Sequence, residues 1–267
     1  MTLIAITGAS GRMGKNIISC IKENPLATLS AAIEMPGHTS IGKDAGVIAG
    51  LEHMGVKITD EPSAAFKKAD VVIDFSAHEA AMKNLEVALM LRKPVVIGTT
   101  GFSLHQKVRI KEISAAVPLV LAPNMSVGVN VLLKLLEVAA KTLGDDYDVE
   151  IVEYHHRHKV DAPSGTALRI AEVLAHSLGR DLDKVAVYGR KGITGERKKE
   201  EIGIQSVRAG DIVGDHIVTF GGDGERIELI HRAHSRTTFA RGAVKAALWL
   251  KDKPSGLYDM QDVLGLK

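Results

Sequence analysis

The sequence predicts an α/β protein: an N-terminal Rossmann-like doubly wound parallel sheet, followed by a C-terminal α+β open-sheet domain. Three observations predict it. Short apolar runs alternate with helical patterns through the first half of the chain. The first run ends in the glycine turn Gly8-Ala9-Ser10-Gly11-Arg12-Met13-Gly14, and beyond residue 149 strands with period-2 alternation dominate.

Taken in order, Leu3-Ile4-Ala5-Ile6 reads as a buried parallel strand, and Ile17, Ile18 and Ile21 recur at helical spacing after the turn. Glycines let such a turn close while the backbone approaches a pyrophosphate at the helix start. The spacing is G-x-x-G-x-x-G rather than G-x-G-x-x-G, and glycines mark any tight strand-to-helix turn. A second apolar run, Leu29-Ser30-Ala31-Ala32-Ile33, ends in Glu34, where a carboxylate can hold an adenosine ribose, and this context favours dinucleotide binding. Residues 70–76 then read as a buried strand and 80–91 as the amphipathic helix after it. Two further strands run into Gly98-Thr99-Thr100-Gly101-Phe102 and Ala122-Pro123-Asn124-Met125-Ser126. Ligands sit at the carboxyl ends of strands in an open parallel sheet, so these loops are expected to line one crevice; ordinary turn chemistry would explain either loop alone.

Residues 127–143 read as one long helix closed by Gly144. Strands follow at 149–154, 185–188, 202–208, 215–220 and 226–234, with a single strong helix at 166–178. The charged, glycine-rich stretch 189–200 reads as a mobile loop, and 239–250 returns to a helical pattern expected to pack on the first domain. The expected organisation is therefore a dinucleotide-binding domain, 1–126, completed by 239–267, and a substrate-binding and oligomerisation domain, 127–238. The chain crosses between them at 122–130 and 234–240, the natural hinges.

Composition narrows the function. The 267 residues suffice for one large domain or two modest ones, and 45% hydrophobic residues can fill their cores. No apolar stretch approaches the roughly 20 residues that span a bilayer, and the strand pattern at the N-terminus leaves no signal peptide, so a cytoplasmic protein without membrane contacts is expected. Cys20 is the one cysteine, which excludes an intramolecular disulfide and suits a small buried hydrophobe. A net charge of +2 and 4% aromatic residues argue against a nucleic-acid partner.

The most chemically loaded segment is Glu153-Tyr154-His155-His156-Arg157-His158-Lys159-Val160-Asp161-Ala162-Pro163-Ser164-Gly165-Thr166. Imidazoles exchange protons near neutral pH, Arg157 and Lys159 attract anions, and Ser-Gly-Thr after a proline turn opens a helix whose N–H groups bind the same anions. A solvated basic turn would carry the same letters, but the nucleotide-type turn at the other end of the chain favours chemistry. No metal is expected, because no thiolate or obvious carboxylate completes a zinc set. One acid suffices for proton transfer, so His158 reads as structural or exposed, and His231 and Arg236 receive no role.

Together, Gly8–Gly14, Asp74-Phe75-Ser76, Gly98–Phe102, Asn124-Met-Ser-Val-Gly-Val-Asn130, His155–Thr166 and Arg208-Ala-Gly-Asp-Ile-Val-Gly214 resemble the 4-hydroxy-tetrahydrodipicolinate (dihydrodipicolinate) reductase family of bacterial lysine and diaminopimelate synthesis. The resemblance covers nearly the whole chain. It implies NAD(P)H-dependent reduction of a small dicarboxylate substrate in a homotetramer built through the sheet domains. It further implies His155 as proton donor or acceptor and Lys159 as proton donor, with His156, Gly165 and Thr166 on the substrate carboxylates. Nucleotide contacts would fall on Gly8, Ala9, Ser10, Gly11, Arg12, Met13, Glu34, Gly98, Thr99, Thr100, Ala122, Pro123, Asn124 and Met125. Members that use NADPH readily often carry Arg directly after the ribose-binding acid; here Met35 stands there, so NADH is expected to be preferred over NADPH. Of the alternatives, another NAD-dependent amino-acid dehydrogenase would lack the His-His-Arg-His-Lys motif. A non-catalytic NAD-binding redox sensor would need a DNA-reading element, and no basic helix or helix-turn-helix pattern is present.

Overall fold

A computed structural model describes residues 1–267. The chain runs β1 (Thr2–Thr7), α1 (Arg12–Glu23), β2 (Ala27–Ile33), α2 (Ala45–Ile48), β3 (Ile58–Thr59), α3 (Pro62–Lys67), β4 (Val71–Asp74) and α4 (His78–Leu91). It continues through β5 (Val95–Ile97), α5 (Leu104–Ser114), β6 (Pro118–Leu121), α6 (Val127–Leu143), β7 (Asp148–His155), α7 (Gly165–Ser177) and α8 (Leu182–Val185). Last come β8 (Ala186–Val187), β9 (Ile202–Arg208), β10 (Gly214–Gly222), β11 (Glu225–Ala233), α9 (Thr237–Leu250), β12 (Gly256–Tyr258) and α10 (Met260–Leu264). Two compact units result, Met1–Val127 with Arg236–Lys267, and Gly128–Ser235.

The first unit holds a seven-stranded parallel sheet in the order β12-β6-β5-β4-β1-β2-β3, so the winding direction reverses between β1 and β4. Both faces are covered, which is why its inner strands β1, β4 and β5 are predominantly apolar. Ile4, Ile6, Ile73, Val96 and Val120 pack against Ile17, Ile18 and Ile21 of α1 and against Ala243, Val244, Ala247 and Leu250 of α9. On the opposite face, Ala5, Val72, Val95, Ile97 and Leu119 meet Phe66, Leu85 and Ile110 of α3, α4 and α5. Cys20 is buried in the α1 side of this core.

The second unit is a five-stranded mixed sheet, β11-β10-β7-β9-β8, with β7 antiparallel to β10 and parallel to β9. One face packs on α6 and α7: Val149, Ile151, Ile204, Val218 and Phe220 against Leu132, Leu136, Ile170 and Leu174. Strict alternation along β7 puts Val149, Ile151, Glu153 and His155 on this buried side. The apolar face therefore turns polar at the carboxyl end of the strand. The strand expected at 185–188 begins instead as α8, because the Asp181 side chain caps that turn by accepting from the Asp183 N–H; Ala186 and Val187 alone pair with β9. Residues 189–200 are irregular, as expected, and two of their arginines are tied to β7 and to Glu201. Arg197 bonds Glu150 at 3.0 Å and Asp148 at 2.6 Å, and Arg190 joins Glu150 to Glu201 at 3.0 Å each. The Glu150 and Asp148 partners lie 40 to 49 residues away in sequence, beyond the reach of any local pattern.

Candidate active site

In the first unit, β1 delivers the chain into the glycine turn at the carboxyl edge of the sheet. Gly8 has φ +70°, and a Cβ there would lie 2.5 Å from the Phe75 carbonyl oxygen. A Cβ at Gly14 would lie 2.1 Å from the Gly8 oxygen, so α1 can approach the turn this closely only without side chains. Gly11 precedes α1, no side chain caps the helix, and no acid stands in its first turn. Its leading N–H groups thus keep their capacity for an anion. Glu34 closes the turn from β2: its Oε2 accepts the Ser10 N–H at 3.0 Å and its Oε1 the Met35 N–H at 3.1 Å. The Ser10, Ser40 and His38 side chains form a hydrogen-bonded chain beside it.

Four of the predicted nucleotide residues have side chains engaged within the unit. Ala9, Ala122 and Met125 are buried in the core, and the Thr99 hydroxyl is bonded to Asp74 at 2.7 Å. Gly8, Ser10, Gly11, Arg12 and Met13 surround the turn, while Thr100 and Pro123 are exposed at the ends of β5 and β6. Asp74, quoted only as part of a motif, has a distinct place. It is 1% exposed, and it accepts from Thr7 Oγ1 at 2.6 Å, Asn84 Nδ2 at 2.8 Å, Thr99 Oγ1, and Ser76 Oγ at 2.8 Å. A buried carboxylate survives only with such a set of donors. These bonds lock the ends of β1 and β4 and the loop after β5 where the winding reverses.

In the second unit, the polar end of β7 carries Glu153, fully buried, with His155 two residues on. The Glu153 Oε2 is bonded to His155 Nδ1. The Arg208 guanidinium grips the same carboxylate with two bonds of 2.9 Å and donates to the Asp161 carbonyl at 2.6 Å. The Ser164 N–H adds a bond to Glu153 Oε1 at 3.2 Å. Burial alone would raise the Glu153 pKa, but its hydrogen bonds from Arg208, His155 and Ser206 outweigh it and hold the carboxyl below its ordinary value. Burial likewise lowers the His155 pKa; Glu153 opposes the fall, and Lys159 and Arg208 add to it. Since ionised Glu153 can only accept, His155 carries its hydrogen on Nδ1, and Nε2 is the position left for proton exchange. Gly214 of β10 makes room there: a Cβ would lie 2.9 Å from Nε2.

Around this pair, the Lys159 ammonium is held by both oxygens of Asp161, at 2.7 and 2.8 Å, and it keeps that carboxyl below its usual range. His156 is half-buried and its Nδ1 has no protein partner. His158 is exposed. Ser164 caps α7 by accepting the Ala167 N–H at 3.1 Å, so Gly165 and Thr166 form the helix start as the Pro-Ser-Gly-Thr sequence implies. Sequence reasoning passed over Glu153 and Arg208. The signal was available: period-2 spacing places Glu153 and His155 on one face, but Arg208 reaches them only through β7–β9 pairing, where it stands opposite His155.

A parallel dinucleotide-type sheet with an uncapped glycine-turn helix, in one chain with a buried carboxylate–imidazole pair next to a helix start, defines a nicotinamide-dependent oxidoreductase. The chain belongs to the dihydrodipicolinate reductase family, whose N-terminal model matches residues 2–125 and whose C-terminal model matches residues 128–264. It is 57% identical over 267 residues to the 4-hydroxy-tetrahydrodipicolinate reductase of Geobacter sulfurreducens, covering 100% of both chains. It is 55% identical to the enzyme of the same name from Syntrophus aciditrophicus, over 98% of each. Among solved structures it resembles a dipicolinate-bound dihydrodipicolinate reductase from Paenisporosarcina sp. TG-14, with a TM-score of 0.78 and 25% identity over 98% of each chain. An amine dehydrogenase from Mycobacterium smegmatis, 12% identical with a TM-score of 0.61, shares the fold alone. No helix is long and apolar enough to cross a membrane.

Proposed function

We propose that this chain reduces 4-hydroxy-tetrahydrodipicolinate to tetrahydrodipicolinate, the reaction that serves diaminopimelate and lysine synthesis. The ring hydroxyl leaves as water, a hydride and a proton are added, and the nicotinamide is oxidised. The observation that carries the reading is the Glu153–His155 pair, a proton-exchanging imidazole with one nitrogen fixed and the other available.

The glycine turn, the open N-terminus of α1 and Glu34 fit a dinucleotide, with the pyrophosphate on the helix start and the ribose on the carboxylate. When bound, the reduced nicotinamide supplies the hydride. The remaining work falls to side chains of the second unit. Addition of hydride to a conjugated cyclic imine builds negative charge toward the ring nitrogen, which a positioned acid must quench. Protonated His155 gives its Nε2 proton, Glu153 stabilises the imidazolium, and Lys159 is the second donor once Asp161 releases it. Two substrate carboxylates need two cationic or N–H-rich places: the Gly165-Thr166 start of α7 supplies one, and His156 with Lys159 the other. We assign NADH as the preferred cofactor, on Met35, and a cytoplasmic homotetramer, which the exposed Ile227 and Ile230 on the edge strand β11 support.

The deciding experiment follows nicotinamide absorbance with purified protein and freshly generated 4-hydroxy-tetrahydrodipicolinate. Substrate-dependent loss of absorbance that saturates in the dicarboxylate is expected. Absence of turnover with both NADH and NADPH would remove the assignment.

A further inference from the structure

His216 sits on β10 directly opposite Glu153, so its side chain enters the same buried face of the sheet. Two residues on, Val218 and Phe220 continue that face as fully packed hydrophobes. An apolar residue would fit position 216 by the same pattern. Instead there is an imidazole, 3% exposed, whose Nδ1 has no partner in the protein. Such a choice costs stability, because a buried polar atom left unpaired forfeits its hydration. Buried polar groups that carry this cost call for an explanation beyond packing.

What His216 touches supplies one. Its Nε2 shares a hydrogen bond of 3.3 Å with Ser164 Oγ, the cap of α7. Its ring meets the His155 ring edge to face, with centroids 5.4 Å apart. One side chain thus bears on both halves of the chemistry, the helix start and the imidazole. Ser164 is already tied to Glu153 through its N–H, so His216 completes a closed loop of contacts: Glu153 to His155, His155 to His216, His216 to Ser164, and Ser164 back to Glu153. Burial keeps His216 neutral, with His155, His231 and Lys159 opposing its protonation and Glu153 favouring it.

We propose that His216 is a positioning residue for the reductase reaction, holding the Ser164 cap and the His155 ring in fixed relation so that substrate carboxylate and proton donor are aligned. The proposal rests on the function assigned above.

The test uses the full-length protein, its His216→Phe, His216→Gln and Ser164→Ala variants, and the His216→Phe/Ser164→Ala double variant. His216→Phe keeps the ring volume but cannot bond Ser164. His216→Gln offers an amide at about the reach of Nε2 and is expected to act as the rescue. For His216→Phe, KM for the dicarboxylate is expected to rise about tenfold and kcat to fall several-fold, with KM for NADH unchanged, as loss of one hydrogen bond to a polar binding element would give. His216→Gln should recover to within about threefold of wild type. In combination with Ser164→Ala, the effect of His216→Phe on kcat/KM should largely vanish, since the two then remove one interaction. If His216→Phe proves too unstable to assay, His216→Asn, whose amide is too short for Ser164, replaces it in the cycle. A variant that melts earlier but keeps substrate KM and kcat, a glutamine no better than phenylalanine, or additive effects with Ser164→Ala would each overturn the proposal. Wild type inactive on the dicarboxylate would instead overturn the functional assignment, a failure seen before any variant is compared.

Discussion

Glu153 and His155 are next-but-one neighbours on the buried face of β7, joined through Oε2 and Nδ1, and Arg208 holds the carboxylate from the other side. The arrangement keeps Glu153 ionised where an isolated carboxylate would not be. Glu153 also works against the burial that depresses the His155 pKa. Glu153→Gln removes that counter-charge. The pKa of His155 should then fall further, and because donation needs the imidazolium, the loss of kcat/KM with rising pH should move to lower pH. A loss on the order of 10²-fold in kcat near neutrality accompanies it. A pH profile with the limb in its wild-type position would show that Glu153 has no hold on the proton.

His155 itself is tested by glutamine, which fills the site without titrating. We expect kcat to drop on the order of 10²-fold, the usual effect of removing a general acid, with nucleotide affinity measured by fluorescence titration unchanged. Near-wild-type turnover would transfer the proton to Lys159.

At the start of α7, Thr166→Val keeps shape and deletes a hydroxyl. If that hydroxyl meets a substrate carboxylate, KM for the dicarboxylate rises by the equivalent of about 1–3 kcal/mol while kcat changes little. Steady-state kinetics with an unchanged KM would place the carboxylate elsewhere on the helix start.

His216 makes a stability prediction independent of catalysis. Its pKa is pushed down to about 3 from the ordinary 6.5, chiefly by burial. Between those values the unfolded chain binds a proton that the folded chain refuses, so folding stability falls as pH drops below about 6.5. Each pH unit is worth roughly 1.4 kcal/mol, so between pH 7 and pH 5 this group should remove about 2 kcal/mol. Urea unfolding at the two pH values should show that loss in wild type and a smaller one in His216→Gln. Equal losses would mean that the imidazole takes up its proton within the fold.

Five strands of the parallel sheet were legible because burial on both faces writes itself as apolar runs ending in recognisable turns, whereas the edge strands β3 and β12, of two and three residues, were too short to show a pattern. The helix α5 was not, although Ser103 and Gln106 form a capping box, because Leu104 and Val108 face solvent and blur the helical period. The same limit applied at the site. His155, Lys159 and Ser164 stand in one short segment and were visible together. Arg208 and His216 join them only through pairing of β7 with β9 and β10, a register that no local pattern encodes. Thr99, a nucleotide contact by the family resemblance, has its hydroxyl bonded to the buried Asp74, a pairing that no local pattern encodes.

Cofactor choice turns on Glu34 and Met35. The Glu34 carboxylate, steadied by the Ser10 and Met35 N–H groups, can accept hydrogen bonds from both ribose hydroxyls of NADH, and it repels the 2′-phosphate of NADPH unless a cation stands beside it. Met35 is exposed and uncharged, so it offers no such cation. Arg12, exposed at the first position of α1, is the nearest candidate along the turn, and on the proposed reading NADPH is therefore expected to be usable rather than excluded. We therefore expect kcat/KM to favour NADH in wild type. Met35→Arg should shift the ratio toward NADPH by about tenfold, which corresponds to about 1.4 kcal/mol of added phosphate interaction. Arg12→Ala should act in the opposite direction, weakening NADPH more than NADH. Kinetics with both nucleotides on the three proteins separate the contributions: a wild type that strongly prefers NADPH, with Met35→Arg adding nothing, would mean that Glu34 is already neutralised and that the preference is set outside this turn.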